Sequence, residues 1–339
     1  MPFIDEILKY DSLSIVGLEK NVGKTECLNY ILSRLPLEKR RVAVTSIGID
    51  GENKDQVTAT KKPEIYLREG VYFSTAEAHY RSRRLVSELV EITNERSSLG
   101  RIVTGKVIVG GKALISGPSS GPSLKRWVKS ARDLGVELTI IDGAISRLSS
   151  ASPAISKAMV LSTGAAYSSN INTLVQKTRF VVEMINLPEA DKGVVEAFDP
   201  VESGVWGLDD EGEIVDFGLT SSLSLSAVDK DITAGMRYIF VSGALTDRFL
   251  NLVANSGNIK SVVLVVRDFT KIFVNEMLYR NFVSRGGRIV VLQKSRLVAV
   301  CVNPTAPNGY VLDSGILCEK LQEAIKLPVY DIVKNRYDF

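Results

Sequence analysis

The stretch from Gly17 to Thr25, GLEKNVGKT in one-letter code, determines how the rest of the chain is interpreted. It ends in Gly-Lys-Thr, as the phosphate-binding P-loop G-x-x-x-x-G-K-[ST] does. Five residues instead of four separate its two glycines. The apolar run from Leu13 to Val16 precedes it, and a helical pattern with an apolar face begins at Lys24. Strand, glycine loop and helix in this order are the context of a working P-loop. We therefore expect a bound nucleotide in spite of the extra residue.

The residue types of this loop suit a phosphate ligand. Successive backbone N–H groups at a helix start converge on phosphate oxygens, and the helix dipole there favours negative charge. Lys24 is predicted to neutralise the charge that develops on the terminal phosphates, and the Thr25 hydroxyl to bind magnesium. The predicted nucleotide-binding residues are Gly17, Glu19, Lys20, Asn21, Val22, Gly23, Lys24, Thr25 and Glu26.

Two acidic residues follow predicted strands and are candidates for a magnesium site. Mg²⁺ prefers oxygen ligands, and open α/β sheets bind ligands at the carboxyl ends of their strands. Asp142 ends the apolar run that starts at Leu138, and we predict it to be both a catalytic residue and a metal ligand. Asp50 follows a second strand and is equally compatible with an Asp-Gly turn. The predicted metal ligands are Thr25, Asp50 and Asp142.

Strands that alternate with helices along the chain predict the fold class. Crossover units of this kind imply a mainly parallel sheet, so we expect an α/β protein of the P-loop NTPase type with helices flanking the sheet and a second, smaller α/β domain. The predicted domains are a nucleotide-binding domain at 1–190, a hairpin and linker region at 191–232 and the smaller domain at 233–339. An alternative is that the last strands extend the first sheet.

Three segments carry more local expectations. Residues 75–95 are predicted to be helical, because Leu85, Leu89 and Ile92 lie at helical spacing. Residues 102–116 have the composition of two strands joined at the Gly110-Gly111 pair. The segment GPSSGPS at 117–123 precedes a helix and reads as a connector rather than as a second anion-binding loop.

Composition excludes several classes of function. The net charge is only +3 and the basic residues are spread along the chain, which predicts neither nucleic acid nor a membrane as a partner. The amino terminus does not resemble a secretory signal, so we expect a cytoplasmic protein. Three cysteines without CxxC spacing predict buried thiols, and a single histidine, His79, argues against histidine-based metal or triad chemistry.

The loop resembles that of dethiobiotin synthetase and related enzymes of the deviant P-loop branch, G-x-D-T-x-V-G-K-T. Gly17, Val22 and Gly23-Lys24-Thr25 match it, and Glu19 stands where those enzymes have Asp. Lys20 is a second cation in the loop, but its distance from Lys24 is one residue shorter than that of the signature lysine of the deviant ATPases. Its role there and a solvated surface position are both open.

Three phrases together resemble the reactivase subunit of lysine 5,6-aminomutase: GLEKNVGKTECLNYIL at 17–32, TSIGIDGE at 45–52 and LTIIDGAISRLSS at 138–150. The resemblance implies an ATP-dependent, chaperone-like accessory factor of lysine fermentation that restores an adenosylcobalamin-dependent mutase after its cofactor is damaged. The partners that it implies are a MutS-like ATPase subunit and lysine 5,6-aminomutase itself.

Two other functions stay open at this point. One is an ATP-dependent ligase or kinase that acts on a small carboxylate or carbamate, in the manner of dethiobiotin synthetase, and the other is a nucleotide-binding scaffold without hydrolysis. The expected cofactors are ATP and Mg²⁺. GTP is an alternative to ATP, because no guanine-reading NKxD motif settles the base. A homo-oligomer is compatible with the sequence.

Overall fold

The computed structural model describes residues 2–47, 65–97, 99–144, 151–224 and 231–334. The helices are α1 Pro2–Ile7, α2 Lys24–Arg34, α3 Glu77–Arg81, α4 Gly121–Asp133, α5 Ile171–Ile185, α6 Lys192–Phe198, α7 Asp247–Ala254, α8 Glu276–Ser284 and α9 Ser314–Ile325. The strands are β1 Ser12–Gly17, β2 Val42–Ser46, β3 Ile65–Leu67, β4 Tyr72–Ala76, β5 Arg84–Ser97, β6 Gly100–Ala113, β7 Leu138–Ala144, β8 Ala158–Gly164, β9 Val205–Asp209, β10 Ile214–Leu219, β11 Met236–Val241, β12 Leu245–Thr246, β13 Val263–Val266, β14 Ile272–Phe273, β15 Arg288–Val291, β16 Arg296–Asn303 and β17 Val329–Asp331. None of the described helices is long and apolar enough to cross a membrane.

A large sheet forms the first compact unit of the chain. Its strand order is β17-β16-β8-β1-β7-β2-β4-β6-β3, and β5 pairs with β6. The neighbours from β17 through to β4 pair in parallel, whereas β6 runs antiparallel to β3, β4 and β5. The strand β1 therefore lies in the parallel part of the sheet, with β7 on one side and β8 on the other.

Helices cover both faces of this sheet. On one face the buried residues of α2, including Leu28 and Ile31, pack against Ile15 and Val160 of the strands. On the other face Leu124 and Trp127 of α4 pack against Ile141. Every residue of β1, β2 and β8 is buried. This is expected of parallel strands that are covered on both faces.

A five-stranded sheet forms the second unit. Its order is β10-β9-β11-β13-β15; β11, β13 and β15 are parallel, β9 pairs antiparallel with β11, and β10 pairs antiparallel with β9. Helices α7 and α8 connect the parallel strands, and their residues Phe249 and Phe282 are completely buried in its core. The predicted α/β class is confirmed: a mainly parallel sheet flanked by helices, with a second sheet in a smaller unit.

The two units divide the chain differently from the predicted boundaries. The first unit consists of Met1–Arg179 and Arg296–Phe339, and the second is Phe180–Ser295. The last strands belong to the first sheet, because β16 pairs in parallel with β8, and β17 with β16. The hairpin region expected at 191–232 contributes β9 and β10 to the second sheet instead of linking two domains.

Two local expectations are wrong. Residues 84–97 form strand β5 and not the second half of a helix, and only Glu77–Arg81 are helical in the predicted segment. Pairing with the whole length of β6 outweighs the helical spacing of the leucines. Strand β6 itself runs unbroken through Gly110 and Gly111. A Cβ on Gly111 would lie 2.1 Å from the Arg84 carbonyl oxygen, so this glycine permits the close approach of β5 rather than making a turn.

Candidate functional site

The candidate site lies at the carboxyl ends of β1 and its two neighbours. The register aligns Ile15 of β1 with Asp142 of β7, and Gly17 with Ser162 of β8. The chain leaves β1 at Gly17, turns through residues 18–23 and enters α2 at Lys24. Ligands of open α/β sheets bind at this edge.

Two left-handed residues shape the turn. Asn21 has φ 62° and Gly23 has φ 85°, a region that residues with a Cβ adopt only at a cost. Gly23 is the N-cap of α2, and as a glycine it has no side chain with which to cap the helix. A helix start of this kind leaves backbone N–H donors for an anion.

Buried side chains fix the base of the loop, and exposed ones line its rim. Leu18 and Val22 are almost fully buried, and the Leu18 N–H donates to the Ser162 carbonyl oxygen at 2.9 Å. Glu19, Lys20 and Asn21 are exposed. The Lys20 N–H donates to Glu19 Oε1 at 2.9 Å, so the carboxylate of Glu19 already contacts one loop donor.

Lys24 and Asp142 meet at the mouth of the loop. Lys24 Nζ lies 2.9 Å from Asp142 Oδ1, and their side chains are 25% and 15% exposed. Apart from this ion pair, the buried Oδ1 receives no hydrogen bond within the described part of the chain. The structure thus brings together the two residues that the sequence analysis predicts to be catalytic.

The donor set suits magnesium more than a softer metal. The half-buried Thr25 and the Asp142 carboxylate are oxygen donors next to the loop. Among the described residues there is no group of three or more His, Cys, Asp or Glu side chains that would form an all-protein metal cage. Magnesium typically uses one or two carboxylates together with substrate phosphates and water. Thr25 and Asp142 are therefore the residues that would hold it.

The sequence analysis missed two residues that support the loop from the carboxyl-terminal strands. A Cβ on Gly23 would lie 2.7 Å from Asn303 Cβ and 3.2 Å from Ile332 Cδ1. Asn303 ends β16, and its Oδ1 accepts the Thr305 N–H at 3.0 Å. The polar Asn-Pro that follows the apolar run of β16 was the available signal.

Two thiols, one from α2 and one from β16, are in contact near the loop. Cys27 in the first turn of α2 and Cys301 of β16 are fully buried, with their sulfurs 3.4 Å apart. The hydrogen bond with Cys27, together with burial, raises the pKa of Cys301 well above its ordinary value. Burial raises the pKa of the partly exposed Cys318 to about 11. The prediction of buried thiols is confirmed for Cys27 and Cys301.

Other predicted features lie elsewhere. Asp50 and most of TSIGIDGE fall outside the described residues, so the structure says nothing about that candidate ligand. Ser120 caps α4 by accepting the Ser123 N–H, which agrees with GPSSGPS as a connector. His79 is buried, and its Nδ1 lies 3.0 Å from Ser116 Oγ.

Comparisons with known proteins are sparse. No family model and no curated protein matches the chain. A solved structure, pNOB8 ParA bound to nonspecific DNA, is similar with a TM-score of 0.26 and 13% identity over 96% of this chain and 99% of that chain. A likeness this weak carries no argument about the function of the site.

One prediction about partners is withdrawn. The sequence analysis excluded nucleic acid as a partner because the net charge is small and spread out. The ParA structure is one of a protein bound to nonspecific DNA, so the exclusion of nucleic acid is not kept. None of the comparisons supports the expected MutS-like ATPase and aminomutase partners.

Proposed function

We propose that this chain binds a magnesium–nucleoside triphosphate at the loop of residues 17–25. The observation that carries the proposal is the start of α2 at Gly23, a residue without a capping side chain, with the ammonium of Lys24 and the carboxylate of Asp142 directly beside it. Amide donors, a cation and a hard anionic oxygen are the three kinds of group that a magnesium–triphosphate needs. ATP is the nucleotide that we propose first, with GTP as its alternative.

Each residue has a distinct role in this proposal. The N–H groups of residues 19–26 hold the phosphates, Lys24 neutralises charge that develops on the terminal phosphate, and Gly23 permits the close approach of the backbone. Thr25 and Asp142 would hold magnesium, which would supply charge neutralisation to the phosphates when bound.

Calorimetry with magnesium and ATP, GTP or their non-hydrolysable analogues tests the proposal. The variant Lys24→Ala loses charge-assisted hydrogen bonds of about 2–3 kcal/mol, so we expect its Kd to rise by roughly 30-fold or more. Lys39→Ala removes an exposed lysine from a turn away from the loop and serves as the control with an unchanged Kd. If neither nucleotide binds to the wild-type chain, the proposal is wrong.

We also propose the finer function that the sequence resemblance implies, an ATP-dependent reactivating factor for an adenosylcobalamin-dependent lysine 5,6-aminomutase. Its support is the resemblance of 17–32 and 138–150, two segments that meet in the Lys24–Asp142 contact. The test measures ATP turnover with inactivated mutase and, separately, with small carboxylate acceptors. Stimulation by the mutase alone supports reactivation, and stimulation by an acceptor alone identifies a ligase or kinase instead.

A further inference from the structure

The ion pair at the loop joins two groups that the proposed ligand needs separately. Lys24 would bind a terminal phosphate and Asp142 would bind magnesium, yet their charged atoms lie 2.9 Å apart. An ammonium in contact with a carboxylate is largely neutralised as a phosphate site, and the carboxylate is likewise neutralised as a cation site. Each ligand on its own therefore competes with the internal partner of its residue.

The position of the pair makes this competition significant. Exposed ion pairs contribute little because water screens them. Here the two side chains are only 25% and 15% exposed, and within the described residues Asp142 Oδ1 has no polar partner other than Lys24. Asp142 is also held on β7, whose register with β1 and β2 on either side leaves its backbone little freedom to move away. Separation of the pair then depends mainly on movement of the long Lys24 side chain.

We propose that the Lys24–Asp142 ion pair is an internal latch that makes nucleotide and magnesium bind cooperatively at this site. This inference rests on the proposed function and adds its regulation. Without magnesium, the triphosphate of ATP would have to displace Asp142 from Lys24, which would leave the carboxylate unpaired beside the phosphates. Without ATP, magnesium would have to displace Lys24 from Asp142, which would leave the ammonium unpaired. Together the two ligands exchange one ion pair for two, so each strengthens the binding of the other by the same factor.

The test is a double-mutant cycle measured by calorimetry on the full chain. ATP is titrated in EDTA and in excess magnesium into wild type, Asp142→Asn, Lys24→Ala and the double variant. In EDTA, Asp142→Asn is expected to bind ATP on the order of tenfold more tightly than wild type, because Lys24 is released. The same substitution in the Lys24→Ala background is expected to give little gain, because no cation is left to release.

The factor by which magnesium strengthens ATP binding gives the second readout. This factor is expected to fall in Asp142→Asn, and since ATP binds magnesium in solution equally for all proteins, the comparison isolates the site. Asp133→Asn, an exposed residue at the end of α4, makes the same chemical change away from the loop and should alter neither value. If Asp142→Asn lowers the melting temperature by several degrees, Asp142→Ser replaces it.

The outcomes separate the latch from the proposed function. Equal tightening in the presence and absence of Lys24 indicates simple relief of charge repulsion and overturns the latch. No tightening in EDTA also overturns it, although binding of magnesium–ATP to wild type would still support the nucleotide site. Failure of the wild-type chain to bind ATP in either condition overturns both.

Discussion

Single residues of the loop carry requirements that their chemical type alone explains. Gly23 combines a left-handed backbone with a close neighbour, since a Cβ there would lie 2.7 Å from Asn303 Cβ. Glycine satisfies both conditions without strain, whereas a residue with a Cβ is strained by the left-handed backbone and has no space beside Asn303. The second condition cannot be predicted from the sequence, because Asn303 lies 280 positions after Gly23 in the chain.

The variant Gly23→Ala is predicted to lose stability and nucleotide binding together. The left-handed conformation costs about 1–2 kcal/mol for a residue with a Cβ, and the contact with Asn303 adds an overpacking cost of about 1–3 kcal/mol. Urea denaturation measures the loss of stability, and calorimetry measures the loss of nucleotide binding. Gly193→Ala is the control, because nothing lies within 4 Å of its Cβ position and its φ is not positive. Unchanged stability of Gly23→Ala would contradict the loop conformation.

At the level of elements, the long β5–β6 pair shows how a contact between strands overrides local propensity. Leu85, Leu89 and Ile92 fit a helical stripe, yet Val86, Ile92 and Thr93 are β-branched and suit a strand equally well. Pairing along the 14 residues of β6 decides between the two. The pair depends on Gly111, because the carbonyl of Arg84 occupies the place of a side chain.

Two adjacent glycines of β6 provide a matched test of that dependence. Gly111→Ala is predicted to cost about 1–3 kcal/mol, as overpacking against a backbone oxygen does, and to reduce amide protection in β5. Gly110→Ala meets its nearest atoms only at 3.2 Å, so its effect should be clearly smaller. Urea denaturation and hydrogen exchange measure both. Equal effects of the two substitutions would show that the close approach of β5 is not the cause.

At the scale of the whole molecule, the first unit is made of two distant parts of the chain. Strand β16 supplies completely buried Ala299, Val300 and Cys301 to the sheet that carries the loop. Asn303 and Ile332 then reach the loop itself. The candidate site therefore depends on residues that follow the second unit in the chain.

A fragment of residues 1–190, the predicted first domain, is expected not to fold cooperatively. Without β16 the apolar edge of β8 and the buried side of α2 at Cys27 are left uncovered, and the loss of several buried apolar side chains at about 1.5–3 kcal/mol each exceeds the usual stability of a domain. Circular dichroism during thermal unfolding measures this, with the full chain as control. A cooperative transition in the fragment would contradict the two-part unit.

Local sequence patterns were sufficient to predict those elements whose structure depends on residues that lie close together in the chain. The strand, loop and helix from Ser12 to Arg34, strand Ala158–Gly164 and helix Ile171–Ile185 follow from apolar periodicity and glycine position. Asp142 was identifiable for the same reason, since an acid at a strand end is a local feature. The roles predicted for these residues stay predictions until nucleotide binding is measured.

The remaining features depend on which segments meet in space. The sequence of an apolar strand such as β16 does not indicate which sheet it joins, because all buried parallel strands have similar apolar sequences. Its pairing with β8 explains why Asn303 supports Gly23, why Cys27 faces Cys301, and why the first unit is discontinuous. The 2.9 Å contact of Lys24 with Asp142 has the same origin. The residue types predict a phosphate loop and a metal-binding acid, and parallel pairing of β1 with β7 brings Lys24 and Asp142 within reach of each other.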